Sequence, residues 1–132
     1  MSAAISQARE MLPHVFGVFD AAAQGSSTAD EFSVKVKINA DGATEHIWMA
    51  LIKADGKPVV VNDTVTGIIA NEPFEFTSIQ LGDRYTATLS QISDWSYWQD
   101  GLLHGNYTTR VMLPQMSAQD AADLRAVLAP LD

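Results

Sequence analysis

Three Asp-Gly pairs, at Asp41-Gly42, Asp55-Gly56 and Asp100-Gly101, constrain this chain more than any other feature. Each follows a stretch with strand character. Asp-Gly is the chemistry of a two-residue hairpin turn, in which both central residues take positive φ. Before the first pair, Phe32, Val34, Val36 and Ile38 alternate with Ser33, Lys35, Lys37 and Asn39. A period of two marks a strand with one face in the core and one face wet. After the pair, residues 45–53 (EHIWMALIK) are apolar on both alternating faces, the pattern of a central strand.

The remaining apolar runs extend this reading. Residues 58–70 hold strand material with a turn or bulge at Asn62-Asp63. Asn71-Glu72-Pro73 breaks the run, because proline removes a ladder donor. Leu81-Gly82-Asp83 is a turn, and Tyr85, Ala87 and Leu89 then alternate with polar residues. Residues 92–98 (ISDWSYW) form a short aromatic strand. The run from Leu102 to Leu113 is expected to pair back onto it, bulged at Gly105.

Helical spacing appears only at the ends. Ile5, Ala8, Leu12, Val15, Phe16 and Phe19 mark a helix over 3–23, with Ser2 as its cap and Gly25 after its end. Pro13 lies inside it, so either the helix kinks there or two shorter helices meet there. Ser117 and Asp120 resemble a capping box that opens a helix over 117–128, and Pro130 closes it. The expected whole is one α+β domain, residues 1–132, with its sheet over 32–113. Successive hairpins imply an antiparallel sheet of about six strands. The expected shape is strongly curled and barrel-like, with both terminal helices packed against it.

Composition bounds the function. Apolar residues make up 47% and charged residues 18% of the 132, an ordinary globular balance. The absence of cysteine excludes disulfides, thiolate nucleophiles and cysteine-ligated metals. A net charge of −8 opposes a nucleic-acid or anionic-membrane surface, since both need basic patches against phosphate. The same charge suits a basic protein partner, and equally suits plain solubility. The N-terminus lacks the basic start and apolar core of a secretory signal, and no stretch approaches the ~18 apolar residues of a membrane span. A cytoplasmic location without membrane contact is expected.

No P-loop, GxGxxG, GxSxG or HExxH motif is present. His14, His46 and His104 stand in unrelated contexts, so no catalytic residue, metal or cofactor is expected. Four local features carry what chemistry there is. In Glu45-His46-Ile47-Trp48, strand alternation puts His46 and Trp48 on one side, as a proton-transfer or ligand pair or as core. Asp94, Trp95, Tyr97 and Trp98 form either an aromatic platform or core packing in which Asp94 ties a turn. Alternation cannot bury Trp95 and Trp98 on one face unless the strand bends. In residues 105–110 (GNYTTR), Arg110 is read as mid-strand, paired with Asp94 or Glu45 or holding an anion. Asn71-Glu72-Pro73 with Gly82-Asp83 is turn chemistry.

These pieces together resemble one family. The order is Ala8, Arg9, Leu12 and Pro13, then FSVKVKI, EHIW, TGIIANEP, LGD, ISDW and GNYTTRV. This is similar to the bacterial YegJ-like family, domain of unknown function 2314, from about Ala3 to Leu113. The resemblance implies no catalytic residue, substrate or cofactor. It implies that His46, Trp48, Asp94, Trp95, Tyr107 and Arg110 belong to a shared pattern, as fold chemistry or as a site.

Two functions follow as expectations. The first is a non-enzymatic protein-binding module, of immunity or inhibitor type, that takes a basic partner. The second is a small-ligand-binding domain or modest enzyme with a pocket near His46, Trp95 and Arg110. Contiguous exposure of Trp95, Trp98 and Tyr107 would mark an interface.

Overall fold

The computed structural model of the protein describes residues 2–52, 58–75 and 77–131. Two helices open the chain, α1 (Ser2–Glu10) and α2 (Leu12–Ala23). The expected 3–23 helix is thus divided, with the break at Met11 just ahead of Pro13. Proline has no N–H to continue the ladder but sits comfortably in the first turn of a new helix. Among the described residues six strands follow: β1 (Asp30–Ala40), β2 (Ala43–Leu51), β3 (Thr64–Ile69), β4 (Arg84–Thr88), β5 (Ile92–Gln99) and β6 (Leu102–Gly105). A short helix α3 (Tyr107–Met112) and a C-terminal helix α4 (Ala118–Val127) complete the chain.

All strand pairs are antiparallel, in the order β4-β3-β2-β1-β5-β6. The Asp-Gly signals behave as their chemistry dictates. Asp41 and Gly42 have φ of 52° and 76° in the β1–β2 turn, and Asp100 and Gly101 have 54° and 76° in the β5–β6 turn. Asn62 and Asp63 also take positive φ, in the turn that brings Val61 against Thr64. The expected Asp55-Gly56 hairpin lies outside the described residues.

The sheet is open rather than strongly curled or barrel-like, which corrects the expected shape. Closure would need β4 to pair with β6, and these two stand at opposite edges. The β6 edge is met instead by the chain's C-terminal end. Leu128 bridges Leu103, and the Ala129 N–H donates to the Leu103 carbonyl at 2.9 Å.

A second correction concerns residues 102–113. The strand ends at Gly105, and Tyr107–Met112 is helical, so Arg110 is not mid-strand. The cause lies in the cap, described below.

The core lies on one face of the sheet. Phe32, Val34, Val36, Ile38, Ile47, Met49, Val65, Ile69, Trp95 and Tyr97 meet Ala8, Leu12, Val15, Phe16 and Phe19 of the two N-terminal helices. The other face carries Lys35, Lys37, His46, Trp48 and Thr66, which are half-buried or exposed. The alternation read in β1 therefore holds, with its polar side outward.

Candidate functional site

Asp94 is fully buried at 0% exposure, yet none of its oxygens is idle. Oδ1 accepts from the Trp95 N–H at 2.8 Å and the Tyr107 N–H at 3.0 Å. Oδ2 accepts from the Thr108 N–H at 3.0 Å and the Thr108 hydroxyl at 2.6 Å. The first N–H groups of a helix have no partner within it, so a cap must supply one. The local candidate, Asn106, sits in the left-handed region (φ 54°) and makes no cap bond. Asp94 takes the role from the neighbouring strand. Tyr, Thr and Val favour strands as isolated residues, and this distant cap overrides them.

The residues around Asp94 are similarly occupied. The Trp95 indole N–H donates to the Ala8 carbonyl at 3.0 Å, near the C-terminal end of α1. Its ring stacks on Tyr97 at 5.6 Å and tilts against Tyr107 at 5.7 Å. Trp95 is 4% exposed and Tyr107 9%. Gly105, at φ +85°, passes so close that an added Cβ would meet the Trp95 carbonyl at 2.2 Å and its ring at 2.5 Å. The Arg110 guanidinium grips two carbonyls, Gly105 at 2.8 Å and Ala129 at 2.7 Å, rather than Asp94 or Glu45. Partial burial lowers its pKa, while Tyr107 and Asp94 act in the opposite sense.

The outer face differs. The two-residue turn at Asp41-Gly42 sets Lys35 opposite Trp48 and Lys37 opposite His46. The Lys35 ammonium donates to Thr108 Oγ1 at 3.0 Å and lies 5.7 Å from the centre of the Trp48 ring. His46 is exposed, and its Nδ1 lies 3.3 Å from Ser93 Oγ. A bulge in β5 against Lys35 and Val36 leaves Ser93 without a strand partner of its own. Its hydroxyl turns to the Lys35 carbonyl at 3.4 Å. Partial burial first, and then the charges of Lys35 and Lys37, hold the His46 pKa below its ordinary 6.5. The imidazole is therefore neutral at neutral pH.

Beside this face, β2 and the segment after β3 enclose a cleft of about 560 Å³. Lys35, His46, Trp48, Asn71, Glu72 and Phe74 line it. The segment is tied to the sheet by side chains. Asn71 Oδ1 accepts the Trp48 N–H at 2.8 Å. Glu45 accepts the N–H groups of Phe74, at 2.7 Å, and of Glu75. Asp41 Oδ2 accepts the Thr77 N–H at 3.2 Å and the Ser78 hydroxyl at 3.0 Å. The Ser78 hydroxyl, then the Ser78 and Thr77 N–H groups, lower the Asp41 pKa. Phe74 is 95% exposed.

The seven sequence candidates therefore separate. His46 and Trp48 share the cleft. Asp94, Trp95 and Tyr107 are buried in fold contacts, and Arg110 is spent on backbone carbonyls. Trp98 is half-buried on the wall of a separate cavity of about 610 Å³, with Phe19, Ala23, Asp30, Phe32 and Leu51. His46, Trp95 and Arg110 do not converge on one cavity among the described residues, and Trp95, Trp98 and Tyr107 form no exposed patch. Sequence reasoning missed Lys35, Asn71 and Phe74. The hairpin register could have found Lys35, since a two-residue turn fixes which residues face each other. Asn71 and Phe74 carry no such signal.

Chemically, Ser93 and His46 make a serine–histidine contact. Ser93 is 5% exposed, and no carboxylate is hydrogen-bonded to the imidazole among the described residues. The orienting third group of a triad is not in place. The described residues gather no group of three or more potential metal ligands. No described helix is long and apolar enough to cross a membrane.

An open antiparallel sheet, helices on its core face and a cleft beside its second strand define a small α+β protein with a surface cleft. The chain belongs to the DUF2314 family, described as an uncharacterized protein conserved in bacteria, whose model matches residues 1–128. It is 30% identical to the uncharacterized protein YegJ of Escherichia coli K12, over 97% of this chain and 76% of that protein. It is also 30% identical to a putative ankyrin repeat protein of Neisseria meningitidis serogroup B, over 74% of this chain and 38% of that protein. No solved structure matches the chain.

Proposed function

We propose that the protein is a non-enzymatic binding module of the immunity or inhibitor kind, and that it takes a basic protein partner at the cleft beside β2. The observation that carries this reading is the pairing of aromatic and acidic groups there. Trp48 forms one wall, Phe74 stands almost wholly in solvent on the other, and Glu72 and Glu75 are exposed beside it. Exposed aromatic rings are what binding hot spots use, and a carboxylate rim in a chain of net charge −8 selects basic partners.

Affinity capture from bacterial lysate at low salt tests the reading, with wild type beside Trp48→Ala/Phe74→Ala. The expected result is a basic protein retained by wild type, lost from the double variant and weakened by added salt. Direct titration of the purified partner then repeats the difference. Equal retention by both proteins, or retention indifferent to salt, sinks the reading.

A second reading, a small-ligand site or modest enzyme, draws on the neutral His46 beside Ser93. Of its expected residues only His46 stands in the cleft. Labelling of Ser93 by a fluorophosphonate probe, abolished by His46→Ala, would favour it over the first.

A further inference from the structure

The cleft has a backbone as well as side chains. The β2–β3 ladder runs only from Met49 to Leu51. Beyond it, Trp48 is the last residue of β2 with outer partners: its carbonyl accepts the Ala70 N–H at 2.9 Å, and its N–H goes to the Asn71 side chain. Trp48 therefore points its amide and carbonyl away from β1. In an antiparallel strand such groups alternate in direction, so Thr44 and His46 point the same way. The described residues of the neighbouring segment do not use them. It is held by the carboxylates of Glu45 and Asp41, and Pro73 within it has no N–H to donate. Among the described residues, the amides and carbonyls of Thr44 and His46 have no hydrogen-bond partner.

An uncovered strand edge of this kind is a template for another chain. We infer that the partner enters the cleft as an extended segment and adds as a strand to β2 at Thr44–Ile47, where the β2–β3 ladder has stopped. At ~3.3 Å per residue this edge seats three to four residues. The occupant is an extended stretch with alternating basic residues, because the opposing wall carries Glu72 and Glu75. The inference rests on the cleft being the binding site, and adds the mode of recognition.

The test is amide hydrogen exchange by NMR on the whole chain, free and with the hexapeptide acetyl-(Lys-Val)3-amide at about millimolar concentration. In the free protein the Thr44 and His46 amides are expected to exchange quickly, while Glu45 and Ile47, which face β1, are protected. With the peptide, Thr44 and His46 should slow about tenfold or more. A peptide N-methylated at alternate residues, and acetyl-(Glu-Val)3-amide, should leave them unchanged. Protection of Thr44 and His46 in the free protein overturns the inference, because the edge would then be occupied. Shifts at the Trp48 indole and the Phe74 ring without slowed exchange also overturn it, while leaving the cleft as a binding site. No shift at all removes strand addition by a basic segment, and the capture experiment judges the binding reading separately.

Discussion

Lys35 touches both of the regions that matter most in this molecule. Its ammonium bonds to Thr108, which completes the surroundings of Asp94, and it lies over the ring of Trp48 in the cleft. On the Asp94 side, each of the four hydrogen bonds to the carboxylate has a structural purpose. On the Trp48 side, a ring, an imidazole and two backbone positions are presented outward. The residues on which the family resemblance is read lie in both regions, so that resemblance does not distinguish them. Occupancy does. A side chain whose polar atoms are all bound to its own backbone has nothing left with which to recognise a partner, and the residues that remain after such spending mark the candidate site.

The largest effect should come from Asp94→Ala. It leaves buried N–H groups of Trp95, Tyr107 and Thr108 without an acceptor, and unpaired buried donors cost about 1–3 kcal/mol each. A loss of about 3–5 kcal/mol in urea unfolding is expected, since opening of α3 relieves part of the sum. A loss below ~1 kcal/mol would erase the contrast between the regions. Gly105→Ala comes next, at about 2–4 kcal/mol, because it combines a positive φ with a Cβ driven into Trp95. Crystallography of that variant should find the Trp95 ring displaced.

Trp48→Ala, on the other side of Lys35, should cost no more than about 1 kcal/mol, as befits a half-buried surface ring. A cost equal to that of Asp94→Ala would make Trp48 a fold residue and remove it from the site. The smallest effect is on pH dependence. The His46 pKa is lowered in the folded chain, so the unfolded chain binds the proton more readily. Stability from this group is complete above pH 6.5 and is lost as pH falls from there through the lowered folded value. His46→Gln should therefore flatten the stability profile on the acid side of 6.5 and leave it unchanged above. A profile identical to wild type would mean that neither burial nor the charges of Lys35 and Lys37 shift the imidazole.

Much of the sheet was legible because its signals are local. Asp41-Gly42 and Asp100-Gly101 each carry their turn within two residues, and the Phe32–Ile38 alternation names its own core face. The barrel-like shape failed because closure depends on which edges meet, and β4 and β6 carry no mark of that. Residues 107–112 failed because their helix is capped by Asp94, thirteen residues before Tyr107 in the chain. The site was half legible. Alternation puts His46 and Trp48 on one side, where both line the cleft, whereas Asn71 reads as turn chemistry and Phe74 carries no signal, since their ties to Trp48 and Glu45 are long-range.

The borrowed cap of α3 also makes the helix depend on β5. A six-residue helix is too short to persist by itself. It takes its first-turn acceptor from β5, and Arg110 fastens Ala129 of the C-terminal end to it. Helix and tail thus form one unit, held through Asp94 and Arg110. Its opening would expose Asp94 to water and release the Lys35 ammonium from Thr108, so the cleft that Lys35 lines would feel the change.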